Sequence, residues 1–175
     1  LFSRHVSPEV AEAIWHDRDQ FLDGGRPRSR KVIATILFLD FRGYTSVSEK
    51  MEPQDLMDWI NTYLAAMAQV VMDHEGVIDD YAGDAIKADF GIPLARGSGK
   101  DIGHDAMNAV TCALAMADEL DRLNRHHEEH NLPSVGMRIG INTGPVVAGS
   151  VGPAQRLKYT TVGDTVNVAA RLEGF

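Results

Sequence analysis

Apolar residues recur along this chain with two different periods, and the switches between them mark out its elements. Residues 32–40 read V-I-A-T-I-L-F-L-D, a nearly unbroken β-branched and aliphatic run closed by an acid. Such a run predicts a central strand buried on both faces. Residues 41–48 form a polar loop or helix start. After Glu52-Pro53 a helical period takes over: Leu56, Ile60, Leu64, Met67, Val71 and Met72 share one face, and Gly76 closes the stretch. This predicts a long helix whose methionines fill a core. Val77–Ala82 and Ala85–Phe90 are two short strands around Gly83-Asp84, a tight hairpin. A loop at 97–99 precedes a second long helix at 105–128, with Val110, Leu114, Ala117, Leu120 and Leu123 as its apolar face and Pro133 beyond its end. Residues 137–142 and 146–151 are strands joined through Thr143-Gly144-Pro145, Lys158–Val162 is another strand, and Asp164–Glu173 is a final helix.

The order strand, helix, strand, strand, helix, strand, with a strand and helix appended, is a βαββαβ pattern. It predicts an α+β fold of ferredoxin-like topology, with both long helices on one face of an antiparallel sheet. Ahead of it, Ser7-Pro8-Glu9 reads as a helix start, with Ser as cap and Pro in the first turn, for a short helix to about residue 17. Asp23-Gly24-Gly25-Arg26-Pro27 breaks that helix and reads as a linker. The expected division is therefore a helix and linker from an upstream region at 1–30 and one domain at 31–175.

Composition narrows the function. A chain of 175 residues with 44 % hydrophobic content is large enough for one packed core. Lys plus Arg is 17 against 25 Asp plus Glu, a net charge of −8. That balance excludes the basic surface on which sequence-independent nucleic-acid binding relies. A phosphate ligand must then be held by metal ions or by a few local donors. No apolar run is long enough to span a membrane, so no membrane contact is expected of this segment. The single cysteine, Cys112, lies among small apolar neighbours and is expected to be a buried structural thiol. His126, His127 and His130 are expected at a solvated helix end.

Two aspartates carry the chemistry. Asp40 closes the buried strand, and Phe41-Arg42-Gly43-Tyr44-Thr45 turns away at once. Asp84 sits at the hairpin tip in Tyr81-Ala82-Gly83-Asp84-Ala85. In a βαββαβ sheet the first strand lies beside that hairpin, so the two carboxylates come together as a hard-oxygen site suited to Mg²⁺ or Mn²⁺. Backbone amides of residues 41–45 form a candidate cradle for phosphate oxygens.

These segments resemble those of the class III adenylyl and guanylyl cyclases. Phe38-Leu39-Asp40-Phe41-Arg42-Gly43-Tyr44-Thr45 is similar to the first metal-binding motif of that family, and Gly83-Asp84 with Phe90-Gly91 to the second. Arg138-Ile139-Gly140-Ile141-Asn142-Thr143-Gly144 resembles its central strand-turn, and residues 159–171, YTTVGDTVNVAAR, its most diagnostic segment. The resemblance implies a two-metal site, Mg²⁺ or Mn²⁺, held by Asp40, Asp84 and the Phe41 carbonyl. It implies attack of the ribose 3′-oxygen on the α-phosphorus with loss of pyrophosphate. It also implies a head-to-tail homodimer in which Asn167 and Arg171 of one chain complete the site of the other. Asn167 would orient the ribose and Arg171 would stabilise charge on the α-phosphate. The spacing of these two agrees: four apart, they share one face of the last helix. A cytoplasmic domain, within a larger membrane-anchored or multidomain sensor, is the implied setting.

The chain also departs from the family. Where adenylyl cyclases carry a base-reading Lys, three residues before the Gly of the second motif, stands Asp80; the second base-reading position is Thr160. With Gly83-Asp84 as a two-residue turn, Asp80 faces Lys87, and an Asp80–Lys87 cross-strand pair is expected. Lys87 would then either form a surface ion pair or reach the purine. Asp80 can accept from guanine N1–H and N2–H, or from adenine N6–H, while Thr160 donates or accepts. ATP is the expected substrate, with GTP as the alternative and a nucleotide-binding module without turnover as a further one. Pro145-Val146-Val147-Ala148 lacks the Arg some members use on terminal phosphates, and family domains continue past the position of Phe175 with strands that bring a phosphate-binding Lys. Weak activity is the expectation for this segment.

Overall fold

The computed structural model describes residues 15–16, 22–23, 26–93, 98–153 and 158–175. Most of the helix expected at 7–17 lies outside those residues; Trp15 and His16 are helical. The expected linker contains paired chain instead: Leu22–Asp23 (β1) and Arg26–Pro27 (β2) form a two-stranded antiparallel ladder.

The domain then runs through β3 (Arg30–Arg42), α1 (Tyr44–Ser48), α2 (Pro53–Asp73), β4 (Val77–Ala82), β5 (Ala85–Phe90), α3 (Gly99–Glu129), β6 (Gly136–Val151), β7 (Lys158–Val162) and α4 (Asp164–Glu173). The sheet order is β4-β5-β3-β6-β7, with every neighbouring pair antiparallel. This is the expected ferredoxin-like core with β7 and α4 added at one edge.

Strand alternation divides the core in two. Leu37, Leu39 and Phe41 of β3, with Ile86, Ala88 and Phe90 of β5, are buried in one cluster with α2 and α3. Ile36 of β3, with Val146 and Ala148 of β6, packs on Ala169 of α4 on the other side. Asp40 has the parity of Ile36 and Phe38, so the alternation turns its side chain to the α4 side, away from the two long helices. Gly140 lets α4 lie close: a Cβ there would sit 2.2 Å from the Glu173 nitrogen and 2.3 Å from the Ala169 oxygen.

Three expectations need correction. The α3 helix starts before residue 105, because Ser98 caps it by accepting from the Asp101 N–H at 3.2 Å. Its buried face is Asp105, Ala109, Cys112, Met116, Leu120, Leu123 and His127, while Val110 and Leu114 are exposed. Two apolar stripes overlap on this helix, and the sheet takes the one whose small Ala109 and Cys112 permit close approach. Residues 137–151 are one strand: Thr143, Gly144 and Pro145 stay in register with Thr35, Ala34 and Ile33. The ladder to β7 begins only at Val147, so on that side Pro145 lacks no partner. His127 is buried, its Nδ1 2.7 Å from the Tyr63 hydroxyl, and burial, then the charges of His126 and His130, push its pKa down. His126 and His130 are exposed as expected. Cys112 is a buried free thiol, pushed up to about 12 by burial and by the Asp73 charge.

Candidate active site

Register brings the two aspartates together. Asp40 pairs with Ala85, so Asp84 stands one residue from the position opposite it. Partial burial raises the Asp84 carboxyl, its own backbone hydrogen bond opposes this, and the charge of Asp40 raises it further. On the other side of β3, Asp40 pairs with Arg138, whose Nη2 donates to Asp40 Oδ2 at 2.8 Å. Arg138 also lies 3.2 Å from Glu173 at the end of α4. Burial raises Glu173, and the charge of Asp40 raises it more. The site is thus a concentration of acids answered by one guanidinium. Sequence reasoning missed Arg138 and Glu173; the signal for Arg138 was its register opposite Asp40, which needs the β3–β6 pairing to be known.

Asp84, raised by partial burial and by the charge of Asp40, fits a divalent cation between the two carboxylates, since positive charge there relieves the repulsion. Among the described residues no group of three or more His, Cys, Asp or Glu is poised for a metal. A pair of carboxylates is what Mg²⁺ takes when it completes its shell with water and phosphate.

The loop after Asp40 is held by its side chains and offers its backbone. Phe41 is buried, its ring 5.5 Å from Tyr63, so only its carbonyl is available to a metal. Arg42 is exposed at the strand end. Gly43 turns the chain at φ +93°, a left-handed conformation that favours glycine. Tyr44 stacks on Trp59 at 6.4 Å. The exposed Thr45 accepts from Ser48 Oγ at 2.8 Å through its carbonyl. First-turn amides of a helix lack intrahelical acceptors, and α1 begins four residues after Asp40.

Asp80 and Thr160, the positions expected to read the base, lie elsewhere on the same face, where edge strands β4 and β7 approach each other. Asp80 is opposite Lys87, as the turn geometry predicts. The ion pair is nevertheless not Asp80–Lys87. Lys87 Nζ bonds to Asp79 instead. The register slips between Ile78 and Asp80, a bulge that re-aims the intervening Asp79. Lys87 Nζ also donates to Thr161 Oγ1 at 2.8 Å, the Thr161 carbonyl at 2.9 Å and Thr160 Oγ1 at 3.3 Å. Thr160 donates to Asp79 Oδ2 at 2.8 Å, and Thr161 to Asp89 Oδ2 at 2.9 Å. Burial raises Asp79, but the charge and hydrogen bond of Lys87 outweigh it and hold it low. Burial carries Asp89 well above the ordinary carboxylate range, against the charge of Lys87. Asp80 is paired with Lys158 at 2.6 Å. Asp79, Asp89 and Lys158 were not anticipated, because only the closure of β7 over β4 and β5 brings them together.

On α4, Thr165 and Ala169 are buried, whereas Asn167 and Arg171 are exposed on the outer face. Arg171 lies 3.6 Å from Asp164, with both side chains largely in solvent.

The family model described as "Adenylate and Guanylate cyclase catalytic domain" matches residues 27–175. The chain belongs to that family. It is 39 % identical over 151 residues to Adenylate cyclase 1 of Rhizobium meliloti (strain 1021), covering 86 % of this chain and 22 % of the relative. It is 37 % identical over 177 residues to an adenylate cyclase of Anabaena cylindrica, covering 99 % of this chain and 33 % of the relative. The chain thus spans a third or less of the length of these two relatives. The adenylyl cyclase CyaB from P. aeruginosa superposes with a TM-score of 0.79 at 33 % identity, over 84 % of this chain and 74 % of that one. The guanylyl cyclase Cya2 superposes at 0.76 and 38 % identity, over 83 % and 71 %. The nucleotide cyclase architecture expected from the sequence is therefore borne out.

Proposed function

We propose that this domain is an adenylate cyclase that converts ATP to 3′,5′-cyclic AMP and pyrophosphate across a homodimer interface. The observation that carries the reading is the pairing of Asp40 against Ala85, beside Asp84, at the end of a central strand. Two Mg²⁺ or Mn²⁺ ions held by Asp40, Asp84 and the Phe41 carbonyl would activate the 3′-oxygen and neutralise the leaving group. The protein's own part is positioning and charge. Amides of the turn after Phe41, with the exposed Arg42, offer donors to the β- and γ-phosphates. Asn167 and Arg171, exposed on the outer face of α4, would serve a partner chain's nucleotide, Asn167 orienting the ribose and Arg171 balancing charge on the α-phosphate. Arg138 holds Asp40 in place.

A guanylate cyclase is the second reading, favoured by the exposed acceptor Asp80 at the base-reading position. A cytoplasmic setting belongs to the same proposal, since nucleoside triphosphates are made there; no helix among the described residues is long and apolar enough to cross a membrane.

The test is product formation with Mn²⁺, comparing ATP with GTP in parallel. Cyclic AMP is the expected main product. Asp84→Asn should lower turnover at least a hundredfold while the circular-dichroism spectrum stays that of the wild type. Turnover retained in that variant would sink the two-metal assignment.

A further inference from the structure

Strands β4 and β7 meet at a polar mouth whose outermost pair is Asp80 and Lys158. Lys158 Nζ lies 2.6 Å from Asp80 Oδ2 and 3.6 Å from Asp79 Oδ1. The Lys158 side chain is 42 % exposed and that of Asp80 55 %. Beneath them the Lys87 side chain is 10 % exposed, its ammonium committed to Asp79, Thr160 and Thr161. A cation that reads a ligand needs a route to it and a partner it can leave cheaply. An exposed ion pair is weak enough to exchange. A buried lysine that satisfies one acid and two threonines is not, because withdrawing it strands an uncompensated charge. Of the two lysines at this mouth, Lys158 alone meets both conditions.

Thr160 follows Lys158 by two residues on β7, so both side chains lean to the same side of the strand. The Thr160 hydroxyl proton is spent on Asp79 Oδ2. Towards a ligand its oxygen is therefore an acceptor, beside the Lys158 donor. Adenine presents the complement of that pair, with N1 accepting and N6–H₂ donating side by side on one edge, across C6. Guanine reverses it, with N1–H donating and O6 accepting.

We propose that Lys158 is the residue that reads the purine base. Its ammonium leaves Asp80 and donates to adenine N1, while Thr160 accepts from N6–H₂. Lys87 is a positioning residue that fixes β7 and the Asp79 carboxylate and thereby the direction of the Thr160 hydroxyl. Asp80 parks Lys158 in the free chain. This inference rests on the cyclase reading for its substrate class.

The experiment is Lys158→Met, which keeps the aliphatic stem, in the full chain. Displacement of a fluorescent N-methylanthraniloyl-ATP by ATP and by GTP is measured at equilibrium, beside turnover of both nucleotides with Mn²⁺. The expected result is ATP binding weaker by about tenfold or more, the range a charged hydrogen bond is worth, a matching rise in KM with kcat changed less, and GTP binding changed little. Asp80→Asn, which frees Lys158 from its resting partner, is expected to lower KM for ATP and serves as a second variant should Lys158→Met fold poorly. Equal weakening of ATP and GTP would overturn the proposal and assign Lys158 to the phosphates. Loss confined to GTP, or no change in either, would overturn it as well. If the wild type binds ATP through Lys158 but forms no cyclic nucleotide, the cyclase reading falls and the base assignment stands. If it binds neither nucleotide, both fall.

Discussion

Asp89 is fully buried in the β5 strand, and burial raises its carboxyl well above the ordinary range, against the charge of Lys87. Its Oδ1 and the Oδ1 of Asp79 both lack another hydrogen-bond partner, and a proton on Asp89 lets one serve the other. The two acids therefore move stability in opposite directions with pH. Asp79 is held low, so its contribution is present above the ordinary value of 3.8 and is lost as pH falls through its folded pKa. Asp89 is raised, so the folded chain binds the extra proton between 3.8 and its folded pKa, and stability falls as pH rises across that window. Asp89→Asn keeps the shape and removes the titration. Urea unfolding at a series of pH values should show the variant losing less stability than the wild type as pH rises above the ordinary value of 3.8. Parallel curves would mean that Asp89 is ionised in the folded chain and that Lys87 answers two charges.

At the scale of elements, the site depends on how closely α4 lies on β6. Thr165 and Ala169 face the sheet, which turns Asn167 and Arg171 outward. Gly140 makes the approach possible, with α4 backbone atoms 2.2 and 2.3 Å from where a Cβ would stand. Backbone atoms cannot yield as a flexible side chain does. Gly140→Ala is therefore expected to push the end of α4 off the sheet. The cost should be about 1–3 kcal/mol in stability, as for other overpacked sites. Turnover should drop on the order of a hundredfold, as expected for a displacement near 1 Å of groups that position substrate. Thermal unfolding and kcat report the two effects separately. A variant with wild-type kcat would detach Asn167 and Arg171 from the chemistry. The same scale explains why the Asp80–Lys87 expectation failed in its side chains while holding in its register. A two-residue turn sets which residues oppose each other, but the slip between Ile78 and Asp80 decides which carboxylate the lysine meets.

At the scale of the molecule, the α2 and α3 side of the sheet is a packed core, and Asp40, Lys87 and Ala169 of α4 lie on the other side. Asp40 and Asp84 stand at one place on it, and Asn167 and Arg171 point outward from α4. One chain arranged in this way calls for a second, and a two-fold dimer would hold two equivalent composite sites. Mixing Asp40→Asn chains with Asn167→Ala chains should restore activity, because half of the mixed dimer's sites would carry neither change. Each variant alone should be nearly inactive. If mixing restores nothing while analytical ultracentrifugation finds dimers, the composite site is wrong.

Much of this was legible along the chain, because it depends on local periods and local turns. The strand at 32–40, fully buried only at 34–37 and 39, the helical stripe of α2, the hairpin register and the placement of Asp40 and Asp84 all follow from patterns a few residues long. The pairing of Asp40 with Arg138, the buried acid at Asp89 and the assignment of Lys158 to Asp80 do not. They join residues some seventy to a hundred positions apart, and which acid meets which lysine is decided by a bulge and by the curl of β7 over the hairpin. Local sequence settled which elements form and where the carboxylates end. Tertiary closure decided the charge partners, since ion pairing depends on distances that only the assembled sheet defines.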